Sequence, residues 1–242
     1  MTSPSRIRAV VFDAGHTLLE MDYAALAAYL RSRGHERGEA AVIDAERRAR
    51  MRLDVERATP LGRERTGAGR YVRYLLDALG IVGDAERSAV AEWRRGFNVP
   101  VGLCHRADAE ASAALRRARD AGLVVGVISN SNGSVRVALE RAGLADRLDF
   151  VIDSTVVGIA KPDPRVFGVG LQAAGVSAGE TVYVGDSYFV DVVGARAAGL
   201  GAVLFDPGRV WGDRDCPVAT GLGAAVDLVI DRTGAPAGRR FG

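Results

Sequence analysis

Short, apolar, β-branched runs separated by helical patterns constrain this chain more than any other feature. Residues 8–12 (RAVVF) break off at Asp13 and Gly15, as a buried parallel strand does where it opens into a turn. Similar runs occupy residues 123–129, 150–153, 181–185, 202–205 and 227–230. Between most of them lie helical patterns, at residues 109–121, 134–142, 164–174 and 191–198. This alternation predicts an α/β fold, a doubly wound, Rossmann-like parallel sheet with its ligands at the carboxyl ends of the strands.

The stretch from about residue 22 to 98 breaks that rhythm. It holds no convincing strand but several amphipathic segments, with Leu26, Tyr29 and Leu30 on one face, Val42, Ala45, Ala49 and Leu53 on a second, and Tyr71, Leu75, Ala78 and Leu79 on a third. A fourth helix is expected after an Asp84 N-cap, burying Ala89 and Trp93. The expected organisation is a core of residues 1–20 and 99–242 with an inserted helical cap at 21–98, hinged near 20–22 and 98–100. The loop at 57–70 is the least regular part of the cap, and the tail from 233 to 242 is expected to fray.

With 242 residues, 48% of them hydrophobic and 26% charged, the chain can bury a substantial core. A net charge of +2, from 32 basic and 30 acidic residues spread along the sequence, announces no nucleic-acid surface. Cys104 and Cys216 have no metal-ligand spacing, and a reducing, cytoplasmic location is expected. Asp13 interrupts the apolar run near the start before it could cross a bilayer, so neither export nor membrane insertion is expected. Lys161 is the only lysine, hence the only candidate for lysine chemistry.

Four features fall where strands end: Asp13 in FDAGHTL, Ser129 in VISNSN, Lys161 in GIAKPDPRVF, and Asp186 with Asp191 in VGDSYFVD. Singly each is weak, because an aspartate after a strand commonly caps a helix and a serine there commonly makes a turn. As a set they supply a nucleophile, a hydroxyl, a cation and hard oxygen ligands on one face of the sheet, the parts of a phosphoryl-transfer site.

These motifs, in this order and with a helical insertion after the first, resemble the haloacid dehalogenase superfamily over about residues 8–191, with the following helix at 194–199 also matching. The resemblance implies that Asp13 becomes an aspartyl phosphate and that Lys161 neutralises phosphate charge beside it. It further implies that Ser129 and the Asn130 backbone N–H hold phosphate. The Asp13 side chain, the Gly15 carbonyl and Asp186 would hold Mg2+, with Asp191 orienting ligands from behind. The implied partner is a small phosphorylated substrate, the implied assembly a monomer or homodimer.

One position departs from the pattern. Where phosphatases of this superfamily carry a second aspartate that moves the proton, this chain has Gly15, and such assistance is worth ~10²–10⁴-fold. His16 follows and is a candidate substitute acid, or merely a turn residue. The alternative is a catalytically weakened relative that binds phosphate and magnesium and serves as a binding or regulatory module. A dehalogenase is disfavoured by the metal-type GDSYFVD motif, and a phosphonate-cleaving enzyme by the lack of any lysine in residues 22–98. The cap arginines Arg57, Arg63, Arg65 and Arg70 either recognise an acidic substrate or form a solvated face.

Overall fold

The strands are β1 (Ala9–Phe12), β2 (Leu19–Met21), β3 (Cys104–Ala107), β4 (Val124–Ser129), β5 (Phe150–Asp153), β6 (Thr181–Gly185), β7 (Gly201–Phe205) and β8 (Val218–Ala219). They belong to a computed structural model that describes residues 6–59, 68–97 and 101–233. Six of them form one parallel sheet in the order β5-β4-β1-β6-β7-β8. All four residues of β1 are buried, as a central strand covered on both faces requires. Chain order reverses around it, and such a switch point opens a crevice at the strand ends.

The helices are α1 (Tyr23–Ser32), α2 (Glu39–Arg57), α3 (Ala68–Ala78), α4 (Asp84–Phe97), α5 (Ala111–Asp120), α6 (Val135–Arg141), α7 (Ser154–Val157), α8 (Pro164–Ala174), α9 (Gly194–Ala197) and α10 (Leu222–Ile230). Helices α5, α6 and α10 pack on Val10, Phe12, Val125 and Val184 on one side of the sheet. On the other, Phe167 of α8 and Ala195 of α9 cover Val11, Ile128 and Tyr183. No described helix is long and apolar enough to cross a membrane.

Residues 227–230, expected as a strand, lie in α10, and the sheet ends instead at β8. The run DLVI has no polar alternation to separate a strand from a buried helix; Leu222, Ala225, Val226 and Val229 share the buried helical face.

Helices α1 to α4 enclose a separate core containing Leu26, Leu30, Val42, Leu53, Leu75 and Val90. The Asp22 carboxylate caps α1 through the Ala25 N–H at 2.9 Å. Three expectations shift here. Ala78 is exposed and Leu76 fills the core. Val90 is the fully buried residue of α4, while Ala89 is half-buried and Trp93 lies half-buried against Tyr29, ring centroids 4.7 Å apart. Asp84 is the first helical residue, and its carboxylate pairs with Arg87 at 2.9 Å. Each is a displacement of one or two positions along an amphipathic helix.

Glu20 and Met21, expected in a hinge, pair with Arg106 and Cys104 in an antiparallel β2–β3 ribbon at the root of the insertion. The second hinge at 98–100, the segment 60–67 with Arg63 and Arg65, and the tail beyond 233 lie outside the described residues.

Candidate active site

Asp13 follows β1, Ser129 ends β4 and Asp186 follows β6, so three neighbouring strands deliver three side chains to one crevice. The fourth arrives on the segment before α8. The Lys161–Pro162 peptide bond is cis, Asp163 caps α8 through the Arg165 N–H at 2.9 Å, and Pro164 takes the first turn, where no N–H is needed. Lys161 is 5% exposed, and its ammonium donates to Asp13 Oδ1 at 2.6 Å, Asp191 Oδ1 at 2.7 Å and the Tyr183 hydroxyl at 2.7 Å. All three donors of the ammonium are thereby used.

Asp191 reaches this point from a wide π turn over Tyr188–Val193. It lies across Gly185, where a Cβ would come within 2.5 Å of its carboxyl, so only glycine fits there. Its second oxygen accepts the Ser187 N–H at 3.0 Å. Tyr183 donates to the Ile128 carbonyl at 2.8 Å and fixes the cation from beneath. Asn130 grips the backbone of Lys161 from both sides, accepting its N–H at 2.8 Å and donating to its carbonyl at 2.9 Å. Ser129 is buried beside them in the crevice.

Burial raises the Asp13 carboxyl, and Asp191 adds to this, while Lys161 opposes it. Burial by itself would lower Lys161, but the Asp13 and Asp191 carboxylates outweigh it and hold the lysine charged. Oxygen atoms of Asp13, Asp186 and Asp191 all lie within 4.8 Å of one another, so this buried acidic cluster is able to hold a metal ion. Because both Asp191 oxygens are engaged, Asp13 and Asp186 have the freer ligand atoms. The Trp211 indole steadies the Asp186 backbone by donating to its carbonyl at 3.0 Å.

The insertion closes the crevice with the inward face of α2. Arg50 holds both oxygens of the fully buried Glu46 at 2.9 Å and also pairs with Asp186. Glu46 in turn accepts the Tyr71 hydroxyl at 3.0 Å. Burial works against its charge, yet the Arg50 guanidinium and the hydrogen bonds from Arg50 and Tyr71 keep its pKa low. Asp54 accepts the N–H groups of Phe189 at 2.7 Å and Val190 at 3.2 Å, together with the Ser187 hydroxyl. The cavity measures about 620 Å3.

His16 adopts a left-handed backbone, φ 62°, a conformation uncommon outside glycine although histidine tolerates it better than most. Its Nε2 lies 3.4 Å from Cys104 Sγ and 3.5 Å from Glu46 Oε1. Burial and then the Arg50 guanidinium push its pKa down to about 4, so the imidazole is neutral near pH 7. A neutral imidazole is a base, which runs against the expectation that His16 supplies the missing acid. Gly15 is not left-handed, and a Cβ there would meet only Cys104, at 3.9 Å.

A Rossmann-like sheet with an aspartate, a lysine and an acidic cluster at its switch point, covered by a helical insertion, defines a capped α/β hydrolase. The chain belongs to the haloacid dehalogenase-like hydrolase family, whose pattern matches residues 7–199. A phosphoserine phosphatase from Thermus thermophilus is 51% identical over 67 residues, 28% of this chain and 27% of that protein. The chain thus matches only about a quarter of that relative's length. Among solved structures, a 2-haloacid dehalogenase from Pseudomonas syringae pv. Tomato is 26% identical, with TM-score 0.55 over 93% of this chain and 99% of the other. The YfnB protein of Bacillus subtilis, bound to magnesium, shares the fold with TM-score 0.67 at 17% identity, over 93% and 99%.

The sequence singled out Asp13, Gly15, His16, Ser129, Asn130, Lys161, Asp186 and Asp191, and all eight line the cavity. Glu46, Arg50, Asp54 and Tyr183 went unnoticed. For the first three the available signal was charge on the inward stripe of an amphipathic helix; for Tyr183 it was a polar group inside an otherwise apolar strand.

Proposed function

We propose that this chain is a magnesium-dependent phosphatase of a small phosphorylated molecule, with Asp13 as nucleophile. The observation that carries this reading is the Lys161 ammonium held between Asp13 and Asp191, with Asp186 in the same buried cluster. The donor set fits a hard cation, being carboxylate oxygen without sulfur or imidazole. Asp13 and Asp186 would hold the ion, with the Gly15 carbonyl as the further donor implied by family resemblance. When bound, magnesium supplies positive charge to phosphate oxygens.

An Asp13 oxygen attacks phosphorus, the bond to the leaving oxygen breaks, and water later cleaves the aspartyl phosphate to return free phosphate and the carboxylate. Lys161 orients the attacking carboxylate and neutralises the incoming anion, the Ser129 hydroxyl holds a phosphate oxygen, and Asn130 keeps the lysine in place. Gly15 has no proton to give and neutral His16 is not an acid, so the leaving alkoxide departs without an efficient donor. Good leaving groups are therefore favoured. That same deficit supports a second reading, a protein that binds phosphate and magnesium with little turnover.

The likeness to a haloacid dehalogenase raises cleavage of a halogenated acid. The Asp13–Asp186–Asp191 cluster, whose oxygens are placed to hold a hard cation, counts against it, since such a site suits metal-assisted phosphate transfer.

A panel of phosphorylated metabolites and p-nitrophenyl phosphate, with and without Mg2+, tests the reading. Native protein releases phosphate only with the ion, and Asp13→Asn releases none while melting at the same temperature. Undiminished release by pure Asp13→Asn protein sinks the mechanism.

A further inference from the structure

The cavity is lined by Asp13, Asp54, Asp186, Asp191 and Asp206, and every one of these carboxylates is engaged. Asp13 and Asp191 hold Lys161, Asp186 pairs with Arg50, Asp54 caps the turn at Phe189 and Val190, and Asp206 accepts the N–H groups of Val210 and Trp211, both at 3.0 Å. Arginine is in surplus. Arg47, Arg50, Arg57 and Arg94 line the same cavity, and among the described residues only Arg50 has a carboxylate partner.

The seats of two of the remaining arginines are built. Arg47 lies against Gly208 so closely that a Cβ on that residue would come within 2.7 Å of the arginine Cδ. Arg94 stacks its guanidinium over the Tyr71 ring at 4.3 Å, and its buried Nε has no acceptor among the described residues. Buried donors are nearly always paired, and stacked guanidinium groups keep their edge free for bidentate recognition of carboxylate or phosphate. Arg47 sits three positions before Arg50 on α2, a rise of about 4.5 Å along the helix. A group bound by Arg47 therefore lies a few atoms from the acidic cluster that Arg50 contacts. Tyr71, under the Arg94 guanidinium, donates its hydroxyl to Glu46, the residue before Arg47, and both arginines line the cavity that holds Asp13 and His16.

We propose that the substrate carries a second acidic group, a carboxylate or a second phosphate, held by Arg47 and Arg94 a few bonds from the phosphate that is removed. This rests on the phosphatase reading above and adds the chemical class of its substrate. Monophosphates of neutral alcohols leave both arginines without a partner and bind less tightly.

The test separates this inference from the activity itself. Asp13→Asn protein, in which the Asn oxygen and Asp186 still face the ion, is titrated calorimetrically in a large excess of Mg2+ with 3-phosphoglycerate, with propane-1,3-diyl bisphosphate and with glycerol 3-phosphate. At least one of the diacids binds about tenfold tighter than glycerol 3-phosphate or better, and the tighter one identifies the second group. Arg47→Met and Arg94→Met each lose most of that preference, while Arg47→Lys retains part of it. Melting curves confirm that each variant is folded, and either methionine variant alone suffices. Equal affinity for all three ligands, or a preference that survives both methionine substitutions, overturns the proposal. Hydrolysis of p-nitrophenyl phosphate by native protein decides the phosphatase reading separately, so flat affinities alongside turnover overturn this inference only.

Discussion

Asp54 of the inserted helical segment accepts the backbone N–H of Phe189 at 2.7 Å, fastening the insertion to the turn that carries Asp191. Val190 adds a second N–H at 3.2 Å, and the Ser187 hydroxyl a third bond. Asp54→Ala leaves these donors without their acceptor, and one unsatisfied buried group costs about 1–3 kcal/mol. The expected result is a lower urea midpoint together with slower phosphate release, because Asp191 loses the frame that aims it at Lys161. Asp54→Asn keeps one acceptor oxygen and loses less. Unfolding curves that coincide with the parent's would show that the contact contributes nothing.

Asp186→Ala removes one of the two freer carboxylates of the cluster and also deprives Arg50 of a partner. Magnesium binding, followed by titration calorimetry, should fall below detection. Arg50→Met should instead tighten it, since the guanidinium no longer competes for the same carboxylate. Parental affinity in Asp186→Ala would place the ion elsewhere.

Gly15→Asp should restore the missing acid. The backbone there is not left-handed, and a side chain meets only Cys104, at 3.9 Å. Turnover of alkyl phosphates is expected to rise about 10²-fold, with aryl phosphates changing little because their leaving groups need no proton. A uniform rise across both classes would point to a cause other than proton transfer, and a melting curve guards against simple misfolding.

The burial of His16 has a pH signature. Its pKa falls from 6.5 to about 4 in the fold, by burial and then by Arg50. Between those values the unfolded chain binds more protons than the native one, so this group's contribution is complete above about pH 6.5 and is lost as pH falls toward about 4. His16→Asn, which tolerates the left-handed backbone, removes that slope. Urea midpoints at pH 7.5 and 5 should converge in the variant relative to the parent, and an unchanged gap would mean that His16 does not titrate as described.

Much of the core was legible because its physics is local. Strands covered on both faces must be apolar over most of their length, as residues 9–12 are and as 181–185 are apart from Thr181 and Tyr183, and a polar residue that ends such a run marks the face where ligands bind. That placed Asp13, Ser129 and Asp186 with no knowledge of the sheet order. The spacing of apolar residues likewise exposed the helical insertion, although it missed which neighbour is buried at Ala78 and Ala89 and mistook a buried helix at 227–230 for a strand.

Only the tertiary structure decided which charges meet. Glu46, Arg50 and Asp54 read along the chain as a solvated stripe on a helix, since sequence carries their period but not what stands opposite. In the fold, Arg50 faces Asp186 and Asp54 faces Phe189, more than a hundred positions later. The same holds for His16, a plausible acid by residue type, whose proton affinity was set by the low-dielectric surroundings and the guanidinium that the insertion brings over it. Residue type and spacing determine which chemistry is available; pKa values and ion pairs depend on distances between segments remote in sequence, and those exist only once the chain has closed on itself.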